Sequence, residues 1–185
     1  MVASLTASAM LLFAVARGAL AASFLISSQK SKVTAKRVES TGVVQYAATD
    51  KKHDGKLIPV TVWGAKRATS YDVCQSIVRD MPLIGKVTAK VTAEQVTTQD
   101  SYSDVVQEYD GTITAKNARN GIAAGAADRG PGIRSRENVD PSSWAQDATS
   151  TVVTDSKSIV VASGARVTEI SGNNMRIYRG VHECF

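Results

Sequence analysis

A chain of 185 residues suits one domain of ordinary size with tails. Hydrophobic residues at 43% and charged residues at 21% permit a packed core, while 13 glycines, 4 prolines and 2 cysteines exclude collagen-like, low-complexity and disulfide-dense scaffolds. The formal charge is +5, yet residues 1–38 hold five of the 22 basic residues and none of the 17 acids, so the remainder is formally neutral and attracts no polyanion by its global field.

Residues 1–31 open the chain as an apolar, Ala/Ser-rich, acid-free segment. Its lack of acid and its serines suit targeting to an organelle, the mitochondrion foremost. The apolar run Met10–Ala16 with Ala19-Leu20-Ala21 also suits secretion, and Leu5–Ile26 has the length of a membrane anchor or packed helix although Arg17 lies within it. Membrane contact through residues 1–28 is thus one expectation.

From Lys32 onward the pattern alternates with period two, the mark of β-strands. In Lys86–Val96, Lys86, Thr88, Lys90, Thr92 and Glu94 fall on one face and Val87, Ala89, Val91 and Ala93 on the other. Val33–Val44 is a second strand with Gly42 as a bulge or bend, and Leu57–Trp63 a third, joined by a hairpin at Asp54-Gly55. The spacing predicts a helix over Ser70–Met81, with Ser70 as cap and Cys74, Ile77, Val78 and Met81 on one face. Val105–Tyr109 and Thr112–Lys116 read as strands about a turn at Asp110-Gly111. The motif Val/Ile-Thr-Ala-Lys recurs at 33–36, 87–90 and 113–116, with Val-Thr-Ala-Glu at 91–94. Its irregular spacing argues against a solenoid and for alternating small β-formers. Residues 119–149 are Gly-rich and read as a linker or excursion, and 150–185 as a C-terminal β-meander too small to stand alone.

The order strand, strand, strand, helix, long strand, strand is that of an oligonucleotide-binding barrel, here residues 32–118. The stretch GKLIPVTVWGAKRATSYDVCQSIVRDMPLIGKVTAKVTAEQ resembles the centre of the single-stranded-DNA-binding protein family, and TITAKN at 112–117 is similar to a later segment of it. The resemblance spans about Val33–Asn117 and implies a mainly β fold: a small antiparallel OB-type barrel with one helix, flanked by the N-terminal segment and the meander. It implies single-stranded nucleic acid as partner, bound without catalysis.

Such binding needs stacking platforms beside a cationic groove. Trp63 is the leading platform, followed by Tyr46, Tyr102 and Tyr109. Lys86 and Lys90 share a strand face, Lys51, Lys52 and Lys56 cluster on the hairpin, and Lys66 and Arg67 follow Trp63. Trp63 equally suits a core position, and alternating lysines a solvated face or edge protection. The rival expectation is a structural β-rich subunit of a larger assembly (capsid, filament, organellar ribosome or membrane complex), or a homo-oligomer. His53 and His182 have no metal-type spacing with Cys74 or Cys184, and the glycines at 121–132 form no phosphate loop. No metal, cofactor or enzymatic activity is expected. Cys74 reads as a buried free thiol, and Cys184 as free or bonded between chains.

Overall fold

Seven antiparallel strands make up the computed structural model, which describes residues 30–51, 55–122 and 143–185. They are β1 (Ser31–Lys51), β2 (Leu57–Met81), β3 (Gly85–Lys116), β4 (Arg119–Ile122), β5 (Trp144–Gly164), β6 (Val167–Ser171) and β7 (Asn174–Arg179). The period-two reading thus holds at the level of class: the protein is mainly β and antiparallel.

β1 lies between β2 and β5, and β2 between β1 and β3. β3 in turn pairs with β5 over Tyr102–Lys116, so the four long strands complete a circuit of hydrogen-bonded pairs along part of the sheet. The stagger of that circuit is large. Ala47 pairs with Thr61, Thr61 with Val105, Val105 with Val160 and Val160 with Ser31, so one trip round returns to β1 sixteen residues away, from 47 to 31. Stagger, tilt and width are linked, and steeply inclined strands let only four of them surround a space that upright strands would close.

The expected C-terminal meander is corrected by the pairing. β5, β6 and β7 do not reverse on one another; each runs antiparallel to β3, from Lys116↔Ser150 through Gln95↔Ser171 to Val87↔Arg179. They are successive pieces of one long strand. Gly172-Asn173 interrupts it without turning it back, since β6 and β7 pair with β3 in one register, and Gly172 (φ 60°) lies beneath the Glu94 side chain, which leaves no room for a Cβ. Asp110-Gly111 is likewise no hairpin. β3 runs straight through it, with a register irregularity against β5 at Asp110/Thr112 and Gly111 at φ 130°. Of the expected linker, β4 pairs with β5 at Arg119↔Asp147 through Ile122↔Trp144, and the remainder to residue 142 lies outside the described residues.

The predicted helix over Ser70–Met81 is the plainest correction: every one of these residues belongs to β2. The cause is a recurring slip of phase. The residues that line the interior cavity advance by two along each strand and then by three at common rows: Ala35 to Val38 on β1, Ser70 to Val73 on β2, Ala93 to Val96 on β3 and Val153 to Ser156 on β5. A second row of slips takes Ser40 to Val43, Ala65 to Ala68 and Thr98 to Ser101. Neighbouring strands slip together, so β1 and β2 keep one register from Lys32↔Ser76 to Lys51↔Leu57 and merely skip the rows of Lys36 and Gly42. A three-residue step inside a two-residue rhythm imitates the i, i+3 spacing of a helix. The supposed helical face is in fact divided, with Ile77 on the cavity and Cys74 on the opposite face of the strand.

The slips have a repeated chemistry. In each skipped row a residue with positive φ (Gly42, Asp72, Asp100, Asp155 or Gly172) stands across from a long charged side chain, Lys36, Lys66, Glu94 or Arg166. The charged residue always follows a buried alanine: Ala35, Ala65, Ala93 or Ala165. Two of the Val-Thr-Ala-(Lys/Glu) motifs, at 33–36 and 91–94, end on these rows, which is where the repeat acquires structural meaning. Left-handed backbone is open to Gly and tolerated by Asp, and neither carries a branched Cβ into the partner strand.

At the β1–β2 hairpin end the sheet packs tightly. Val44, Tyr46, Ala48, Val60, Val62, Tyr102, Ala145 and Val161 form one buried cluster drawn from all four long strands.

Candidate functional site: an apolar cavity and its strap

Beyond that cluster the small side chains leave space. A cavity of about 430 Å³ runs along the long strands, lined by residues such as Val33, Ala68, Val73, Ile77, Val91 and Val153, with Ser and Thr hydroxyls from all four long strands and Gln75, Glu108 and Asp110 also on its wall. Aromatics at these positions would fill the lumen, but Val and Ala stop short of the facing wall. Ser31, at one end of β1, donates to the Val160 carbonyl (3.2 Å) and accepts from Gln75 (3.4 Å), which ties β5, β1 and β2 together there. Among the described residues no group of three or more His, Cys, Asp or Glu is placed to hold a metal ion.

The other face of β2 and β3 is covered by the last six residues, Gly180–Phe185, which form a strap across the strands. The Gly180 N–H donates to the Lys86 carbonyl (2.7 Å) and the Thr88 hydroxyl donates to the Gly180 carbonyl (2.7 Å). The His182 N–H donates to Thr88 Oγ1 and the Cys184 N–H to Ser76 Oγ, each at 3.0 Å. Lys32 Nζ on β1 pairs with Glu183 (3.1 Å) and donates to the Phe185 carbonyl (2.8 Å). The Phe185 ring then meets Tyr109 edge-on at 5.3 Å. Under this strap Thr88 is wholly buried, the exception on a polar face whose Lys86, Thr92 and Glu94 are exposed as expected.

The strap is also covalent. Cys74 and Cys184 form a disulfide, with Cα atoms 5.9 Å apart, so neither is the free thiol that the helical reading of Cys74 suggested. Placed on the face away from the cavity, Cys74 is brought under the chain end by the slip at Tyr71-Asp72.

Two further ion pairs involve residues of β5. Asp147, nearly buried, accepts two hydrogen bonds from the Arg119 guanidinium (2.9 and 3.1 Å), which holds the arginine's pKa above its ordinary value. Asp110 accepts from Lys157 (3.3 Å) and from the Gly111 N–H (3.1 Å), and both bonds lower its carboxyl pKa. A more open hollow of about 520 Å³ lies beside Gly42, Lys66, Arg119 and Asp147.

The residues expected to bind nucleic acid are dispersed by this arrangement. Trp63 lines the cavity, its Nε1 buried with no hydrogen-bond partner among the described residues. Tyr46 lies in the tight core at 3% exposure, and Tyr102 is buried against Gly164. Lys86 and Lys90 are on the strap face, with Lys90 Nζ 3.5 Å from the Glu183 carbonyl. Lys66 lies along Gly42 with its end exposed, and Arg67 is exposed beside it. Lys56 is exposed near the hairpin, the backbone of Lys51 pairs with Leu57, and Lys52 lies outside the described residues. Aromatics and cations therefore do not share one surface. The cavity lining itself was missed, although its signal was present as apolar residues spaced by twos and threes, with an Ala-Lys or Ala-Glu pair or else a Gly or Asp at the change of step.

A family model described as "Family of unknown function (DUF6230)" matches residues 27–185. The chain belongs to that family. No curated protein and no solved structure matches it. Membership of DUF6230 replaces the kinship with single-stranded-DNA-binding proteins, whose loose motifs are here the residues of phase slips rather than of a strand–helix–strand unit. The apolar segment before Ser31, with its targeting, anchoring and secretory readings, lies outside the described residues. Among the described residues no helix is long and apolar enough to cross a membrane.

Proposed function

We propose that this DUF6230 chain is a non-catalytic carrier that holds an elongated apolar ligand, such as an acyl chain, within a steeply staggered four-stranded β-barrel. One observation carries the reading: a cavity of about 430 Å³ walled mainly by Val, Ala and Ile side chains. Its volume falls in the roughly 300–1,000 Å³ range of small-molecule sites, which are mostly apolar with a few placed polar groups. The Cys74–Cys184 bond suits an oxidising compartment. Nucleic-acid binding finds less support in this geometry, because its stacking residue points into the cavity and its lysines do not.

Trp63 supplies the test. In a Trp144→Phe background it is the one remaining tryptophan, since the chain has two. A polyene fatty acid that accepts energy from tryptophan should then quench Trp63 saturably, and Ala68→Phe or Ala93→Phe, which fill the lumen, should abolish the effect. Uptake that persists in both filled variants, or no uptake by the parent, refutes the carrier. If a salt-sensitive quench by single-stranded oligonucleotide appears instead, the nucleic-acid reading takes its place.

An assembly subunit is the second reading, favoured by one feature. Among the described residues β6 and β7 pair only with β3, so their other edge presents backbone donors and acceptors. Light scattering on the full chain tests it; a concentration-independent monomer rules it out.

A further inference from the structure

The β2–β3 hairpin ends in Met81-Pro82-Leu83-Ile84-Gly85, and its tip is apolar where a solvated turn would be polar. Leu83 is fully exposed, at 105% of its reference area, and Ile84 is 46% exposed. Leu83 also adopts φ 76°, left-handed backbone that a branched residue pays for and that Gly, Asn or Asp would take with ease. The turn is held by the Ile84 N–H donating to the Met81 carbonyl (3.4 Å). Val181, 51% exposed, sits at the same end, because Gly180 before it is bonded to Lys86.

Behind this tip stands a collar of cations. Arg79 and Arg179 both pair with Val87, so they flank β3 in one row, and Lys86 adjoins them. All three side chains are exposed and make no ion pair among the described residues; Asp80, opposite Lys86, is the one acid of the collar. An apolar point backed by a net positive ring matches an anionic lipid surface in two respects. The aliphatic side chains gain by entering the acyl boundary, and the cations then lie level with the headgroup phosphates.

We propose that this hairpin tip docks the protein on an anionic lipid bilayer, with Leu83 and Ile84 inserted and Arg79, Lys86 and Arg179 at the headgroups. Charge complementarity selects lipid over a second copy of the chain, whose own tip carries the same sign. The inference stands whether or not the cavity holds a ligand.

Co-sedimentation of the full chain with vesicles tests it, comparing phosphatidylcholine alone with phosphatidylcholine containing phosphatidylglycerol. The parent should bind the anionic vesicles at least about tenfold more strongly, and Leu83→Ser with Ile84→Ser should lose roughly that factor. Arg79→Gln with Arg179→Gln should erase the preference for anionic lipid. Leu57→Ser, an exposed apolar residue on the other hairpin, should change nothing. Unchanged melting of each variant shows that the fold is intact. Equal binding to both vesicle types, full binding by the Leu83/Ile84 variant, or self-association that this variant abolishes without any vesicle binding would each overturn the proposal.

Discussion

Gly42→Ala tests the phase-slip architecture on which the cavity depends. Gly42 has φ 60°, and a Cβ built there would lie 2.8 Å from both Cγ and Cδ of Lys66 on the neighbouring strand. Two penalties therefore combine. Left-handed backbone costs an L-residue about 1–2 kcal/mol, and unseating the Lys66 stem adds about 1 kcal/mol of lost packing. Gly85 separates them, since it has φ 73° but nothing within 4 Å of its built Cβ. Gly85→Ala should cost only the backbone part. By urea denaturation the two variants should differ by about 1 kcal/mol, or roughly 2–4 °C in melting temperature for a chain of this size. Lys66→Ala removes Cγ and Cδ, so in that background the excess cost of Gly42→Ala should shrink towards zero. Equal destabilisation by Gly42→Ala and Gly85→Ala in both backgrounds would refute the interstrand seat.

Two more outcomes follow from the strap and the surface pair. The Cys74–Cys184 bond closes a loop with a sequence separation of 110, for which chain entropy gives about 5 kcal/mol and measured bonds typically about 2–4 kcal/mol. Cys74→Ser with Cys184→Ser should lower stability on that scale, and a denatured, unreduced sample should show no free thiol; two titratable thiols would remove the bond. Asp110 titrates below its ordinary value of 3.8 because Lys157 and the Gly111 N–H bond its carboxylate. A depressed folded pKa means that its stabilising contribution is present above the ordinary value and lost as the pH falls through the folded one. The stability difference between the parent and Asp110→Asn should therefore narrow on acidification below about pH 4. A difference that widens there contradicts the assignment.

Strand character was legible wherever alternation was unbroken. Over Lys86–Glu94 the split into Thr88, Lys90 and Thr92 against Ala89, Val91 and Ala93 is the split between strap face and cavity face. The helix over Ser70–Met81 failed for a local reason, as the slip at Tyr71-Asp72 inserts a three-residue step whose origin lies in the partner strands. Nothing in that segment alone separates a slipped strand from a short amphipathic helix. The turn at Asp110-Gly111 failed similarly: a residue that can take positive φ either reverses a chain or merely bends it, and the strand alongside decides which.

What the amino-acid order determined by itself was composition and rhythm: a β-rich chain with small apolar side chains on one face, charged residues at intervals on the other, and a formally neutral body. What only the tertiary structure decided was the partial ring of strands. The return of β3 to β5, the sixteen-residue stagger that opens a lumen among four strands, and the meeting of Cys74 with Cys184 all join residues far apart in the chain. Pairing across such distances depends on where every other strand has already settled, and local propensity carries no record of it.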